Sequence, residues 1–219
     1  AMTSSFSNMM LATLLCFSLD NLDEVKAELE DVIKAAERML ANNWEFFKDA
    51  VGAYDFNRIV YLGANCLKGI AQESQLKILE LTAGRVATMY DSPMGFRHGP
   101  KSIINDDTLT IVYLSDDPYT RQYEVDLIKE MSPQRKGNKL MAIMNKRDEE
   151  VAGLVDYAFS FDLDNEHENA FLGFDYIVAA QVLALFKSLS YDITPDNPCP
   201  TGEVNRVVKG VILHPYTKR

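Results

Sequence analysis

Cysteine and histidine are scarce in this chain, with three residues of each among 219. The cysteines, Cys16, Cys66 and Cys199, lie far apart and form no C-x-x-C pair, so the sequence has neither a zinc-site spacing nor a disulfide framework. The histidines do not cluster either. We therefore predict reduced thiols, a cytoplasmic location and no bound metal.

Positive charge is also in short supply. The chain has 22 lysines and arginines against 32 aspartates and glutamates, which gives a formal net charge of -10. General nucleic-acid binding needs a basic surface, and so does docking on anionic lipid, so we predict neither. An anionic ligand would need a local basic pocket that acts against the overall field.

An apolar run near the start, MMLATLLCFSL from Met9 to Leu19, is too short to cross a bilayer. It also lacks the basic flank of a secretory signal, so we interpret it as a buried helix. Because the chain enters this run almost at once, we expect it to be part of a longer protein.

The first 50 residues are predicted to be a pair of helices. Ser5 or Ser7 is a candidate cap for a helix that runs to about Ser18. Asp20 or Asn21 is a candidate cap for a second helix, whose apolar residues recur every three or four positions.

Beyond Asp55, five short β-rich runs alternate with helical stretches. The runs are RIVYLGA (58–64), RVATMYD (85–91), TLTIVYLS (108–115), KLMAIMN (139–145) and YAFSFD (157–162). Gly84 is expected to end the first intervening helix, and Asp116 or Asp117 followed by Pro118 is expected to begin another. A long buried helix should follow the fifth strand. This alternation predicts an α/β fold with a parallel sheet covered by helices on both faces, and ligands at the carboxyl ends of the strands.

Three segments follow from this organisation. Residues 1–50 form a helical lead-in, residues 51–193 form the α/β domain, and residues 194–219, with four prolines, form an irregular tail.

Three charged residues share one narrow stripe of the first helix after a strand. In AQESQLKILE (71–80), Glu73, Lys77 and Glu80 fall within about 60° of one another at about 100° per residue. The stripe is either an exposed glutamate–lysine pair, which stabilises a helix only slightly, or one wall of a cleft.

A basic segment, MGFRHGPKS (94–102), follows the second strand and is predicted to be a loop, because Gly and Pro disfavour regular backbone. Arg97 and Lys101 are candidates for binding an anionic substrate in an otherwise acidic chain. His98 can move protons near neutral pH. An ordinary basic surface turn is the alternative.

These motifs together resemble a known family. YLGANCLKGIAQESQLKILE followed by RHGP resembles the second sugar-isomerase (SIS) domain of phosphosugar isomerases, such as the isomerase half of glucosamine-6-phosphate synthase. GFRHGPKS and the ending NPCPTGEVNRVVKGV resemble the tagatose-6-phosphate ketose/aldose isomerase family, also described as galactosamine-6-phosphate deaminase/isomerase. The resemblance covers essentially the whole chain. It implies a flavodoxin-like SIS domain of three α/β/α layers, preceded by the helical pair.

The resemblance also implies roles for individual residues. Glu80 matches the isomerisation base, and Lys77 and Glu73 match its neighbours on the same helix face. His98 matches a histidine associated with sugar ring opening, which the partner subunit supplies in the synthase. Lys209 matches a lysine on the C-terminal tail that meets the open-chain sugar.

The resemblance further implies the reaction and its partners. Thr3 and Ser4 fall near a Ser/Thr-rich segment that touches the sugar, although Met2 stands where the synthase has a serine. The expected activity is aldose–ketose isomerisation, or deamination of galactosamine 6-phosphate to tagatose 6-phosphate, without a cofactor, in a homodimer.

The chain departs from the family pattern in one respect. Family members have two SIS domains, and the first carries a Ser/Thr-rich phosphate loop that we do not find in this sequence. In the loop LSDDPY (114–119), two aspartates would repel an anion. We therefore expect the second half of such an enzyme, which on its own is either inactive or binds substrate weakly. The alternatives are a non-catalytic module that binds a sugar phosphate and an unrelated flavodoxin-like fold.

Overall fold

A five-stranded parallel sheet forms the centre of the fold in the computed structural model, which describes residues 2–202 and 210–216. The strands are β1 (Arg58–Gly63), β2 (Ala87–Asp91), β3 (Thr108–Tyr113), β4 (Lys139–Met144) and β5 (Tyr157–Ser160). Their order in the sheet is β2-β1-β3-β4-β5, and every neighbouring pair is parallel. This is the flavodoxin-like order, so the five predicted strands and the parallel sheet are confirmed.

Eight α-helices surround this sheet within the described residues. They are α1 (Thr3–Phe17), α2 (Leu22–Arg38), α3 (Glu45–Ala53), α4 (Leu67–Leu81), α5 (Pro93–His98), α6 (Pro118–Met131), α7 (Glu149–Leu154) and α8 (Asn169–Leu189). The predicted N-terminal helical pair is confirmed as α1 and α2. A π-helical turn, Met39–Asn43, and a third helix, α3, lie between this pair and the sheet.

Alternating side chains of the strands divide the interior into two cores. Ile59 and Tyr61 of β1 face the core shared with α2, α3, α4 and α8. Val60 and Leu62 face the opposite core, which contains residues of α5, α6 and α7. The central strands β1, β3 and β4 are therefore covered on both faces, as the continuous apolar runs of a parallel sheet require. The three predicted α/β/α layers are present.

Helix ends follow local side-chain chemistry in some cases and not in others. Asp117 accepts a hydrogen bond from the backbone N–H of Thr120 and Pro118 occupies the first position of α6, so that prediction is confirmed. The predicted serine cap of α1 is wrong, because the helix already begins at Thr3, and Met2 in the cap position provides no side-chain bond.

The end of α4 lies close to the prediction but differs in detail. The Gly84 N–H donates to the Leu79 carbonyl at 2.9 Å, and the Ala83 N–H donates to the Glu80 carbonyl at 3.2 Å. These two bonds form a Schellman motif. Ala83, with φ +50°, takes the first left-handed position, and Gly84, with φ +73°, takes the second. Glycine usually takes the first left-handed position after a helix, but here it takes the second, one residue further along the chain.

Two apolar helices, α1 and α8, differ in how much of their surface is buried in the fold. No residue of α1 is fully buried, so the prediction of a buried helix there is wrong, although Phe6, Met10 and Leu14 pack against the core. Helix α8 is, among the described residues, long and apolar enough to span a membrane, but 61% of its most apolar window is buried inside the fold. A core helix of a folded domain passes the same test.

Candidate active site

Helix α4 is held firmly against the sheet that it covers. It starts just after Gly63, where an added Cβ would lie 2.3 Å from the backbone oxygen of Leu67, so only glycine allows this close approach. Deeper in the helix, the Ser74 hydroxyl bonds to the Ile70 carbonyl and lies 2.7 Å from the hydroxyl of Tyr113 on β3. The first half of α4 is thus fixed to β1 and β3.

The predicted charged stripe of α4 is a compact ion cluster. The Lys77 ammonium lies 2.7 Å from a carboxylate oxygen of Glu80 and 3.3 Å from one of Glu73. The Lys77 side chain is only 4% exposed, whereas those of Glu73 and Glu80 are 12% and 38% exposed. A solvated surface pair would leave the lysine in water, so this geometry favours the cleft-wall interpretation.

Burial changes the acidity of one member of this cluster. Burial raises the pKa of Glu73, and attraction to Lys77 opposes that shift only in part. A buried ammonium group needs a paired carboxylate, and Glu73 and Glu80 provide two. Glu80 is the most exposed of the three, so it is the carboxylate that a bound molecule can reach most directly.

A cavity of about 680 Å³ opens beside this cluster, between α1, α4 and α8. Glu73 lines it together with Phe6 and Met10 of α1, Cys66 at the start of α4, and Asn169 of α8. Its volume falls within the range of small-molecule pockets. Cys66 and Asn169 bring one part of this cavity to the carboxyl end of the sheet, where ligands of parallel α/β folds bind.

The basic segment after β2 is helical, so the prediction of a loop is wrong. The Ser92 hydroxyl accepts a hydrogen bond from the Gly95 N–H and caps α5, and Pro93 occupies its first position. A 3-10 turn, Pro100–Ile103, continues the segment. Serine before proline is a recognised helix start, and this signal was present in the sequence.

The two basic side chains of this segment converge on one carboxylate. Arg97 lies 2.6 Å from Glu130 of α6, and Lys101 is paired with the other oxygen of the same group. Sequence reasoning did not identify Glu130, because nothing in the sequence indicates which residue of α6 faces α5. The prediction that Arg97 and Lys101 bind substrate stays a prediction, and an anion would compete with Glu130.

His98 lies apart from the α4 cluster. His98 is exposed at the end of α5, which packs on the opposite face of the sheet from α4. Thr3 and Ser4 begin α1, whose side chains line the cavity beside Glu73. Lys209 lies outside the described residues.

The loop after β3 uses its acidic residues to hold backbone. One Asp116 oxygen accepts bonds from the Asn145 amide at 2.5 Å and from the His167 N–H at 3.1 Å, while Asp117 caps α6. Beneath them, the Glu124 carboxylate accepts a bond from the Ser115 N–H, and burial raises its pKa to about 7. Within residues 2–202 and 210–216, no group of three or more His, Cys, Asp or Glu residues is arranged to hold a metal ion.

The strand order and the helical layers define an α/β fold of the flavodoxin-like class. Residues 54–186, more than half of the chain, match the family model described as the SIS domain. The chain belongs to the SIS-domain family.

The curated relatives and solved structures that resemble this chain carry the names of a deaminase and of an isomerase. It is 40% identical to D-galactosamine-6-phosphate deaminase AgaS of Shewanella sp. (strain ANA-3), over 100% of this chain and 52% of the relative. A solved tagatose-6-phosphate ketose/aldose isomerase from Escherichia coli is 36% identical with a TM-score of 0.85, over 100% of this chain and 55% of that one. A structure from Clostridium novyi NT, provisionally described as the same isomerase, is 49% identical with a TM-score of 0.94, over 99% of this chain and 55% of that one. The chain thus spans about half the length of the curated relatives it matches.

Proposed function

We propose that this chain supplies the acid–base residues of a phosphosugar isomerase and deaminase. The expected reaction converts galactosamine 6-phosphate to tagatose 6-phosphate with release of ammonia, or interconverts an aldose and a ketose 6-phosphate. The observation that carries this proposal is the cluster in which buried Lys77 holds two carboxylates and Glu80 still reaches solvent. The names of the relatives support the choice of substrate.

Glu80 is the base in this scheme. Moving a carbonyl group between C1 and C2 requires a carboxylate that takes the proton from one carbon and returns it to the other. Lys77 neutralises the charge that develops on the enediol oxygen, and its burial keeps that cation in place. Glu73 supports Lys77 from the preceding turn.

With a 2-amino sugar, the same proton shift has a different end point. Opening of the ring exposes an aldehyde at C1. Glu80 then transfers the C2 proton to C1, while one proton of the amino group passes to the C1 oxygen, which becomes a hydroxyl. The product is an imine at C2. Water adds to this carbon, the C–N bond breaks, and ammonia leaves with the ketose phosphate. The scheme uses no metal and no organic cofactor.

The other predicted residues complete the proposal. His98 opens the sugar ring, reaching the site from the partner subunit of a homodimer, and Lys209 meets the open-chain sugar. The position of α5 across the sheet from α4 is compatible with His98 serving the site of another subunit. Thr3 and Ser4 of α1 contact the sugar, in a cytoplasmic enzyme. Arg97 and Lys101 stay candidates for binding the anionic substrate, in competition with Glu130.

The main alternative is a module that binds a sugar phosphate without turning it over. One observation favours it, because Glu130 already neutralises the basic pair that would otherwise attract a phosphate group. Such a module would need no proton transfer at Glu80.

One experiment separates the two functions. The chain is incubated with galactosamine 6-phosphate, ammonia and ketose are measured, and binding is followed by calorimetry. Glu80→Gln keeps the shape of the side chain and removes the base, while Glu37→Gln makes the same change at an exposed position. We expect ammonia release that Glu80→Gln abolishes and Glu37→Gln leaves intact. Binding without release in the unchanged chain favours the module, and release that survives Glu80→Gln removes Glu80 from the reaction.

A further inference from the structure

Glu130 of α6 holds both ends of the segment that carries His98. One of its oxygens lies 2.6 Å from Nη2 and 2.9 Å from Nε of Arg97. Its other oxygen pairs with the Lys101 ammonium, which also donates to Gln134 at 3.2 Å. We call this set of contacts the Glu130 clamp. It binds the residue just before His98 and the residue three positions after it.

The start of the same segment is fixed independently. Ser92 caps α5, and Phe96 is fully buried in the core beneath α5 and α6. An added Cβ at Gly95 would lie 2.9 Å from the side chains of both Asp91 and Ser92, so the backbone packs tightly there. The polypeptide around His98 is therefore held on three sides, while the imidazole itself stays exposed.

The side chains of the clamp are less exposed to solvent than those of an ordinary surface ion pair. The side chains of Arg97, Lys101 and Glu130 are 32%, 25% and 28% exposed, whereas the nearby Lys129–Glu150 pair is 47% and 65% exposed. The contact between Arg97 and Glu130 uses two guanidinium nitrogens, which fixes orientation as well as distance. Hydrogen bonds from Lys101 and Arg97 also hold the pKa of Glu130 below its usual range, so the clamp stays charged near neutral pH.

We propose that Glu130 is a positioning residue that sets the location of His98 for sugar ring opening. This inference rests on the proposed function, in which His98 moves the proton that opens the ring. It assigns Arg97 and Lys101 to the support of His98. A catalytic group displaced by about 1 Å can lose about a hundredfold in rate, so a clamp on the flanking residues has a measurable effect.

The first test compares two substrates on Glu130→Gln. One is galactosamine 6-phosphate, whose ring must open. The other is a 5-deoxy ketose 6-phosphate, which lacks the hydroxyl that closes the ring and needs only proton exchange at C1. We expect kcat for the cyclic substrate to fall by about tenfold or more, and proton exchange of the open substrate to stay within about twofold. In a His98→Asn background, Glu130→Gln should cause no further loss.

Matched variants control for charge and shape. Glu150→Gln removes a carboxylate of α7 that pairs at 2.6 Å with Lys129 of α6, so both substrates should react as before. Glu130→Asp keeps the charge and should recover part of the lost rate. Equal losses on both substrates with Glu130→Gln, or no loss on either, overturn the inference.

A second measurement does not depend on activity. Hydrogen exchange of the backbone amides of residues 96–103 should become faster in Glu130→Gln and stay unchanged in Glu150→Gln. Unchanged exchange in both variants overturns the clamp itself. If the unchanged chain neither releases ammonia nor exchanges a proton of the substrate, the proposed function fails. Faster amide hydrogen exchange in Glu130→Gln would then still support the clamp as a structural feature.

Discussion

A buried aspartate in α8 should make the stability of the fold depend on pH. Asp175 is fully buried, and neither of its carboxylate oxygens has a hydrogen-bond partner among the described residues. Burial raises its pKa from 3.8 to about 8, although Arg38 attracts the charged form and opposes the shift. The folded protein therefore keeps this carboxyl protonated over a pH range in which the unfolded chain has released the proton.

The sign of the effect follows from the proton count. Between about pH 4 and about pH 8 the folded state holds one more proton at this site, so the free energy of unfolding falls as the pH rises. The slope is about 1.4 kcal/mol per pH unit, or about 2 kcal/mol between about pH 6 and about pH 7.5. This window also avoids the pI of about 4.8, where the chain would be least soluble.

Asp175→Asn tests this reasoning, because asparagine does not ionise. Its amide would also lack partners and could lower stability at every pH by about 1–3 kcal/mol, so the informative quantity is the change with pH. Urea denaturation followed by circular dichroism measures the free energy of unfolding. Between about pH 6 and about pH 7.5, this free energy should fall by about 2 kcal/mol less in the variant than in the unchanged protein. The comparison of the two proteins removes the contribution of other groups that titrate in this pH window, such as Glu124. Asp23→Asn, at a fully exposed side chain, should leave the pH slope unchanged. Parallel slopes for Asp175→Asn and the unchanged protein would refute a neutral, buried Asp175.

Two further changes address the position of α4 and its charged cluster. Gly63→Ala places a methyl group against the backbone of Leu67, so we expect a loss of about 1–3 kcal/mol in thermal or urea unfolding. Gly69→Ala is its control, because open space surrounds that position and alanine should be neutral or slightly stabilising. Lys77→Met leaves two partly exposed carboxylates without their cation, so we expect loss of ammonia release and about 1–3 kcal/mol lower stability.

A specific result would contradict each of these two predictions. Equal melting temperatures for the alanine variants at 63 and 69 would show that the close approach to Leu67 is not required. Full ammonia release by Lys77→Met would show that the buried cation plays no part in the proton transfer. Lys26→Met, at a side chain that is 60% exposed, should change neither quantity.

Much of the fold could be predicted from the sequence, because each strand is an apolar run bounded by turn residues. The order of β-rich and helical segments was enough to predict a parallel sheet. The stripe on α4 was also predictable, since its three charges share one face at the helical period. The burial of Lys77 was not, because it depends on how deeply α4 packs against the sheet and α8.

Other features required the three-dimensional arrangement. Gly and Pro suggested a loop around His98, and the cap formed by Ser92 outweighed them. The Glu130 clamp joins residues about 30 positions apart, and a single sequence carries no signal for such a pairing. The cavity beside Glu73 depends on where α1 lies against α8, which the apolar character of α1 does not specify.

Solvent proton exchange tests the central proposal most directly. Galactosamine 6-phosphate in D₂O is incubated with the unchanged chain, with Glu80→Gln and with the exposed control Glu37→Gln, and the sugar C2 proton is followed by NMR. If Glu80 is the base, the C2 signal is lost with the unchanged chain and with Glu37→Gln, and it persists with Glu80→Gln. Equal loss of the C2 proton with Glu80→Gln would contradict the role of the α4 cluster in proton transfer.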